Sequence, residues 1–304
     1  MGKDKVEGPF VVSIVRDATN SSSIVVHLRM KKEDLRFTVE SKKLKRKKQA
    51  IEAILKSKNF KFQSLKRIKD PKFTTDIISF EEKFIMKHYK VGVLYCKEGQ
   101  KDQREMFSNE RASSEFKAFL KILGDKVALK GFSGYAGGLD TTPLGSTGEY
   151  SIHSSWRDYE LMFHISTMLP YCNDDPQQLQ RKRHLGNDIV LVVFKEGNLA
   201  YSPSTVTSMF NQVIIVVQPV QYKNECWYRL SVAHKLSLKS FGPPLPEPAL
   251  FQGNEVFRDF LITKIINGER AAYRAEPIES KLIESRLGLL SHLEQSFTPL
   301  KNLL

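Results

Sequence analysis

The chain has 304 residues, 41% of them hydrophobic and 10% aromatic, so it is too apolar for a disordered protein and long enough for two domains with sizeable cores. Its 47 lysines and arginines against 34 aspartates and glutamates give a net charge of +13, which indicates an acidic partner: nucleic acid, an anionic membrane or an acidic protein surface. No window approaches the apolar length of a membrane-spanning helix, and three widely spaced cysteines without a C-x-x-C pair exclude a cysteine-built zinc site.

The first third of the chain alternates short strands with basic loops. Phe10–Val15 and Ser23–Met30 predict a hairpin across a turn rich in Asn and Ser. The basic run Lys42–Lys48 precedes a predicted helix at Gln49–Ser57, and Lys90–Cys96 predicts a further strand. Such a run is typical of a solvated surface; attraction to an anionic membrane and nuclear import are its functional alternatives.

A polar run at Lys97–Ser113 separates this part from a more regular one, so we predict domains at residues 1–112 and 113–304. The second part alternates helices with continuously apolar strands, which predicts an α/β fold around a central sheet. The predicted helices are Ser114–Gly124, Asp174–Leu185, Ser202–Gln212, Asn254–Gly268 and Ile278–Phe297, and the predicted strands are Tyr159–Leu169, Asp188–Phe194, Val213–Val220 and Cys226–Ala233. Phe241–Pro248 is an extended proline-rich segment.

Several chemical signatures are absent from the sequence. It contains neither the phosphate-binding G-x-x-x-x-G-K-[ST] pattern nor the zinc-binding H-E-x-x-H pattern, and its seven histidines do not cluster at ligand spacing. The glycine-rich stretch Gly131–Asp140 is typical of a mobile loop. We therefore expect no metal site and no nucleotide pocket of the P-loop type.

The junction "RKRHLGND" ends a predicted helix directly before a buried strand. Asp174 or Asp175 can cap the start of that helix, and Gly186 with Asn187 is typical of a helix stop. The run Arg181–His184 would form an exposed basic knob at the helix end, suited to docking on a phosphate-rich or acidic site. From spacing alone, Asn187 could either end the helix or act chemically on a partner.

Longer motifs carry a family resemblance. The segments "LMFHISTMLPY", "QQL-RKRH-GNDIV" and "TGEYS" between Gly137 and Gly197 resemble the catalytic segment of the Rap GTPase-activating proteins (RapGAPs). "FLKILGDKVALKGF" and "FGPPLPEP" are also similar, so the resemblance runs from about Val91 onward. "YCKEGQ" and "FRDFLITK" resemble the signal-induced proliferation-associated branch most, whereas the first ninety residues match chiefly through "GPFVVSI".

The resemblance implies an N-terminal α/β dimerisation-type domain followed by a catalytic α/β domain related to the small-GTPase fold. It implies that Asn187 is a catalytic "asparagine thumb", supplied in trans to the GTPase without an arginine finger. The GTPase-binding residues it implies are Lys182, Arg183, His184 and Arg286. His184 and Arg286 have a plain alternative as exposed helix residues, and His164 is expected to be structural.

The sequence therefore predicts a GTPase-activating protein for a Rap-like small GTPase, with no cofactor of its own because GTP and Mg²⁺ are bound by the partner. We expect a soluble, cytoplasmic homodimer that associates through residues before about Met106, with peripheral membrane contact through Lys42–Lys48 as a further option. The alternatives are a non-catalytic GTPase-binding module, an activator of Rheb as in the tuberin relatives, and a nucleic-acid binder. Against the last, the lysines do not interleave with aromatics.

Overall fold

The computed structural model describes residues 1–16, 22–40, 47–57, 59–222 and 225–297. Contacts divide the chain into two compact units. The first comprises Met1–Ile85 together with Pro277–Leu304, and the second comprises Met86–Glu276. Each unit has a sheet of its own, so the predicted mixed α/β architecture with two domains is confirmed.

The first unit is built on a five-stranded antiparallel sheet in the order β4-β3-β2-β1-β5. Its elements are β1 Gly2–Asp4, β2 Gly8–Arg16, β3 Ser23–Arg29, β4 Asp34–Glu40, α1 Lys47–Ser57, β5 Phe62–Leu65, α2 Pro71–Glu82 and α7 Ile278–Phe297. The pairing of β2 with β3 confirms the predicted hairpin. The side chains of Lys42–Lys48 lie outside the described residues.

Helices cover both faces of this first sheet. Successive residues of a strand point to opposite faces, and the neighbours Phe10 and Val11 of β2 are both fully buried. Phe10 belongs to an apolar cluster with Leu55 of α1, whereas Val11 belongs to a second cluster with Phe80 of α2 and Leu290 of α7. The last helix of the chain therefore completes the core of the first unit.

The second unit contains an eight-stranded sheet in the order β13-β12-β11-β10-β6-β9-β8-β7. Its strands are β6 His88–Cys96, β7 Asp125–Ala128, β8 Tyr150–Trp156, β9 Tyr159–Ile165, β10 Val190–Lys195, β11 Val213–Tyr222, β12 Glu225–His234 and β13 Leu250–Gln252. Its helices are α3 Gln103–Phe107, α4 Ser114–Leu123, α5 Leu179–Leu185 and α6 Glu255–Ala272. The neighbours β9, β6, β10 and β11 run parallel, which explains their apolar runs, because central parallel strands are buried on both faces.

The polar run that suggested a domain boundary is part of the second unit. Asp102 and Glu105 form a capping box that starts α3, and this short helix buries Met106 and Phe107. The predicted division between residues 112 and 113 thus differs from the contact-based one, which also assigns α7 to the first unit. Which unit carries which function stays a prediction.

One predicted helix is wrong. Ser202–Gln212 contains only a single 3₁₀ turn at Pro203–Thr205. Two of its hydroxyl side chains bond to other segments: Ser208 donates to the carbonyl of Gly186, and Thr207 bonds to Gln103. Such side-chain bonds to other segments favour irregular backbone over a helix.

Within the described ranges, no helix is long and apolar enough to span a bilayer.

Candidate functional site

Helix α5 starts later than predicted. Gln178 has a left-handed backbone with φ of 49°, so the helix begins at Leu179 instead of near Asp174. The N-cap residue is therefore Gln178 and not an aspartate, although Asp175 accepts a 2.6 Å hydrogen bond from the backbone N–H of Leu179. The amide of Gln178 donates to the carbonyl of Cys172 at 2.6 Å. The start of the helix is thereby tied to the preceding loop.

Arg181 does not belong to an exposed basic knob, which corrects the prediction for the first residue of "RKRH". Its side chain is fully buried. The guanidinium donates to four backbone carbonyls, those of Phe107, Asn109, Leu169 and Pro170, at 2.7 to 3.2 Å. Arg181 thus fastens α5 to the segment after α3 and the segment after β9, and its donors are used inside the protein.

The next residues of the motif remain accessible. Arg183 is exposed, and Lys182 and His184 are half-buried. Neither Lys182 nor Arg183 forms an ion pair with any residue that the structure describes. Arg183 and His184 face the same cleft as Asn187, whereas Lys182 is not among the residues that line it.

His184 differs electrostatically from its basic neighbours. Burial lowers the pKa of His184, and the nearby His164 lowers this pKa further. The two rings meet edge to face with centroids 5.4 Å apart. Because an ordinary histidine is already mostly neutral at pH 7, this one is a neutral hydrogen-bonding group and adds no positive charge to the surface.

The helix end at Gly186 is not the left-handed stop that the sequence suggested. Gly186 has φ of −71°, and Asn187 is not among the residues with positive φ. Glycine is needed for a different reason: a Cβ at Gly186 would lie 2.5 Å from the carbonyl oxygen of Lys182. Asn187 therefore has no conformational role that other residues could not fill, which weakens its interpretation as punctuation.

The backbone of Asn187 is fixed while its side chain is free. Its N–H donates to the carbonyl of His184 at 3.1 Å, and its carbonyl accepts from the ammonium of Lys90 at 3.1 Å. The residue is exposed, and its carboxamide makes no hydrogen bond to the described part of the chain. The arrangement presents an unused donor and acceptor on a rigid support.

The support is a buried polar cluster beneath Asn187. Oδ2 of the fully buried Asp188 lies 2.8 Å from Nδ1 of His164, and Nε2 of that ring lies 3.1 Å from the carbonyl oxygen of Gly137. Both ring nitrogens of His164 therefore face oxygen atoms that can accept a hydrogen bond. Lys90 approaches Asp188 at 3.5 Å, and the amide of Asn211 donates to the carbonyl of Asp188 at 2.6 Å. This cluster confirms the structural role predicted for His164.

A cleft of about 660 Å³ opens beside this cluster. Its lining includes Arg183, His184 and Asn187 from the end of α5, and Gly137 and Asp140 of the glycine-rich stretch. Asp140 accepts hydrogen bonds from the hydroxyl and backbone N–H groups of Thr142 and Ser146, which lower the pKa of its carboxyl. The loop is thus organised around a carboxylate, a feature that its glycine content did not reveal.

The residues that sequence reasoning missed come from distant segments. Lys90 lies near the start of β6 and Asn211 precedes β11, yet both contact the Asn187–Asp188 pair. Only Asp188 carried a local signal, because it is a charged residue directly before a fully apolar strand.

Arg286 lies in the first unit and is neither exposed nor free. Its Nε donates to the carbonyl of Met30, and its Nη2 pairs with Asp34. The guanidinium also stacks 4.8 Å from the ring centroids of Phe80 and Phe84. The alternative of an exposed helix-face arginine is therefore wrong. The contact with a GTPase stays a prediction that these bonds do not favour.

Comparisons with known proteins agree with the resemblance. The family model described as Rap/ran-GAP matches residues 106–287, more than half of the chain. Signal-induced proliferation-associated 1-like protein 3 from Mus musculus is 40% identical over 252 residues, which are 82% of this chain and 14% of the relative. GTPase-activating Rap/Ran-GAP domain-like protein 3 from Danio rerio is 38% identical in an alignment 307 positions long, which covers 98% of this chain and 30% of the relative.

A solved structure, that of the TSC2 GAP domain, is similar with a TM-score of 0.52 and 29% identity; the match covers 61% of this chain and 98% of that one. This chain spans less than a third of the length of the two relatives compared above. The comparisons therefore concern a domain-sized part of larger proteins.

The buried arginine of α5 generates a stability prediction. We expect Arg181→Met to lower the free energy of unfolding by about 3 kcal/mol or more, because it leaves the buried carbonyls of Phe107, Asn109 and Leu169 without the guanidinium donor. Urea unfolding followed by circular dichroism measures the loss. The matched variant Arg183→Met, at an exposed position two residues later, should change stability by less than about 0.5 kcal/mol. Equal effects of the two substitutions would contradict the internal role of Arg181.

Arg286 gives a second test. We expect Arg286→Ala to reduce the free energy of unfolding by about 1–3 kcal/mol, because the carbonyl of Met30 loses its charged donor. The exposed Arg67→Ala is the control and should leave the urea midpoint nearly unchanged. If Arg286→Ala were instead as stable as the parent but weaker in GTPase stimulation per folded molecule, Arg286 would return to the predicted GTPase interface.

Proposed function

This chain belongs to the Rap/ran-GAP family, and from that membership we propose that it stimulates GTP hydrolysis by a Rap-like small GTPase and supplies the carboxamide of Asn187 to the partner's nucleotide site. The family and the likeness to a GAP domain support GTPase activation and a small GTPase as partner. The choice of Rap and the role of Asn187 are our proposals.

The observation that carries the mechanism is the free carboxamide of Asn187 on its fixed backbone. GTP hydrolysis needs a water held in line with the γ-phosphate. A carboxamide has both an acceptor for a proton of that water and a donor for a phosphate oxygen. Because the backbone on either side of Asn187 is already immobilised, little ordering remains to be done when the partner docks.

The arginines of α5 have other roles in this proposal. The guanidinium of Arg181 already donates to backbone carbonyls inside the protein, so it would have to break these bonds before it could enter a partner's site. Arg183 and Lys182 are accessible and free of ion pairs with described residues, and we assign them to docking. His184 would add a neutral hydrogen bond. Charge compensation during hydrolysis is left to the GTPase and its Mg²⁺.

The proposal makes the chain an activator that completes another protein's active site, without a substrate site or cofactor of its own. GTP and Mg²⁺ are assigned to the partner. A homodimer formed through residues before about Met106 and contact of Lys42–Lys48 with anionic membranes are further proposals.

The direct experiment is single-turnover GTP hydrolysis by purified Rap, Rheb and other Ras-family proteins with and without this chain. Acceleration of Rap alone or chiefly supports the proposal. Preference for Rheb would assign the activity to a different partner. A chain that retains GTP-loaded GTPases without accelerating any of them would be a binding module, and the catalytic role would fail.

Replacing Asn187 tests the mechanism. Asn187→Ala should melt close to the parent, because the residue is exposed and its carboxamide is unbonded. Stimulated hydrolysis should fall by roughly a hundredfold or more, about 3 kcal/mol in the barrier, as for other groups that position water or stabilise charge. Asn187→Asp should also fail, because a carboxylate brings negative charge towards the γ-phosphate and lacks the amide donor.

The control for this pair is Asn198→Ala, which alters another exposed asparagine of the second unit. Melting temperature and single-turnover hydrolysis are measured on the same preparations. A folded Asn187→Ala that accelerates hydrolysis as well as Asn198→Ala would sink the asparagine mechanism, while leaving GTPase activation itself intact.

Charge reversal tests docking. We expect Arg183→Glu, and Lys182→Glu to a similar or smaller extent, to raise the GTPase concentration needed for half-maximal stimulation by about tenfold, because a charge-assisted contact contributes about 1.5–3 kcal/mol. The rate at saturating GTPase should change little. Lys117→Glu on α4 makes the same charge change away from the cleft and serves as the control. Unchanged titrations for both variants would show that the exposed end of α5 is not the docking surface.

A further inference from the structure

In the second unit, the connections between parallel strands run in opposite directions across the sheet on the two sides of one point. Their spatial order is β9, β6, β10, β11, whereas β6 comes first along the chain and β9 second. The chain therefore leaves β6 towards one side of the sheet and later continues on the other side with β10. In open α/β sheets, ligands bind in the crevice at the carboxyl ends of the strands at such a switch point.

The crevice here follows Cys96 and Lys195, the last residues of β6 and β10. Asn187 precedes β10, so it lies at the amino ends of these strands, opposite the crevice. The switch-point crevice is thus distinct from the cleft assigned to the GTPase. An inference about this crevice does not depend on the proposal that the chain activates a GTPase.

A cavity of about 280 Å³ occupies this crevice, and we refer to it as the switch-point cavity. Among the described residues, its lining includes three lysines, Lys97, Lys101 and Lys195, and no acidic residue. Met106 and Leu199 contribute apolar surface. Ligand pockets of drug-sized molecules start at about 300 Å³, so this volume suits a small molecule.

Lys195 is the unusual member of the lining. It is only 6% exposed, and its ammonium donates to the carbonyls of Glu196 and Gly197, each at 3.0 Å. An ammonium has three donors, so one remains for a ligand. The carboxylate of Glu196 does not neutralise it but accepts from the hydroxyls of Tyr95 and Ser113. Lys195 has no ion pair with the residues that the structure describes, although a buried charge is costly without one.

Tyr201, which also lines the cavity, adds a second unmet group. Its hydroxyl is buried and has no hydrogen-bond partner within the described ranges. Buried polar atoms of this kind are rare and are commonly satisfied by a bound water or ligand. An unpaired buried cation and an unpaired buried hydroxyl therefore belong to one small cavity.

We propose that the switch-point cavity binds a small organic anion, whose phosphate or carboxylate is held by Lys97, Lys101 and Lys195 and whose apolar part lies against Met106 and Leu199. The anion supplies the negative charge that the lining lacks. The small volume excludes a macromolecular partner as the occupant of the cavity itself.

Calorimetric titration of the full chain with phenyl phosphate, benzoate and neutral benzyl alcohol tests this proposal. We expect saturable binding of one or both anions with a stoichiometry of one and none of benzyl alcohol; the tighter anion identifies the preferred head group. The double variant Lys97→Glu/Lys101→Glu should weaken binding at least tenfold. Its matched control, Lys235→Glu/Lys239→Glu, makes the same charge change at exposed positions elsewhere and should stay within about twofold.

Lys195→Met is a second variant, checked for folding by its melting temperature, and should also lose at least tenfold in affinity if it folds. Three results would overturn the proposal: no saturable binding of either anion, binding of benzyl alcohol as tight as that of the anions, or equal weakening in the two double variants. The assay contains no GTPase, so its outcome is separate from that of the proposed function.

Discussion

The pairing of Asp188 with His164 is the constraint on which the site depends. A carboxylate with no exposure is costly in a protein unless nearby groups compensate it, and here the ring of His164 contacts Oδ2 while the ammonium of Lys90 lies 3.5 Å from Oδ1. Because β9, β6 and β10 each contribute, the position of Asp188 is set by the sheet. The backbone of Asn187, one residue earlier, is therefore also fixed in position, while its side chain remains in solvent.

Arg181 secures the same helix from the other side. Its guanidinium forms five hydrogen bonds to main-chain carbonyls. Because α5 is only seven residues long and would be weakly stable alone, these bonds help to hold it in place. A short helix held at both ends by buried charges suits a surface that must meet a partner without rearranging. The neutral state favoured for His184 leaves Lys182 and Arg183 as the cations of that surface.

Sequence patterns predicted most of the sheet of the second unit and both long helices, because these depend on local periodicity and continuous apolar runs. The pattern failed where side chains act across the fold. Arg181 and Arg183 have the same chemistry and lie two residues apart, yet one is internal and the other exposed. The segment after Ser202 contains helix-compatible residues, but its hydroxyls bind elsewhere. Lys90 and Asn211 reach the site only through the order of the strands, which no local pattern encodes.

The first unit is discontinuous along the chain, and this bears on biosynthesis. Residues 1–85 leave the ribosome before α7 does, yet Leu290 and Leu293 of α7 belong to the core cluster around Val11. The second unit is complete by residue 276 and can fold while the first still lacks its final helix. During that interval the Val11 face of the first sheet lacks the apolar side chains of α7 and has only those of α2, which leaves part of it open to chaperones or to misassociation. A stop codon before α7 would therefore damage the unit that was made first.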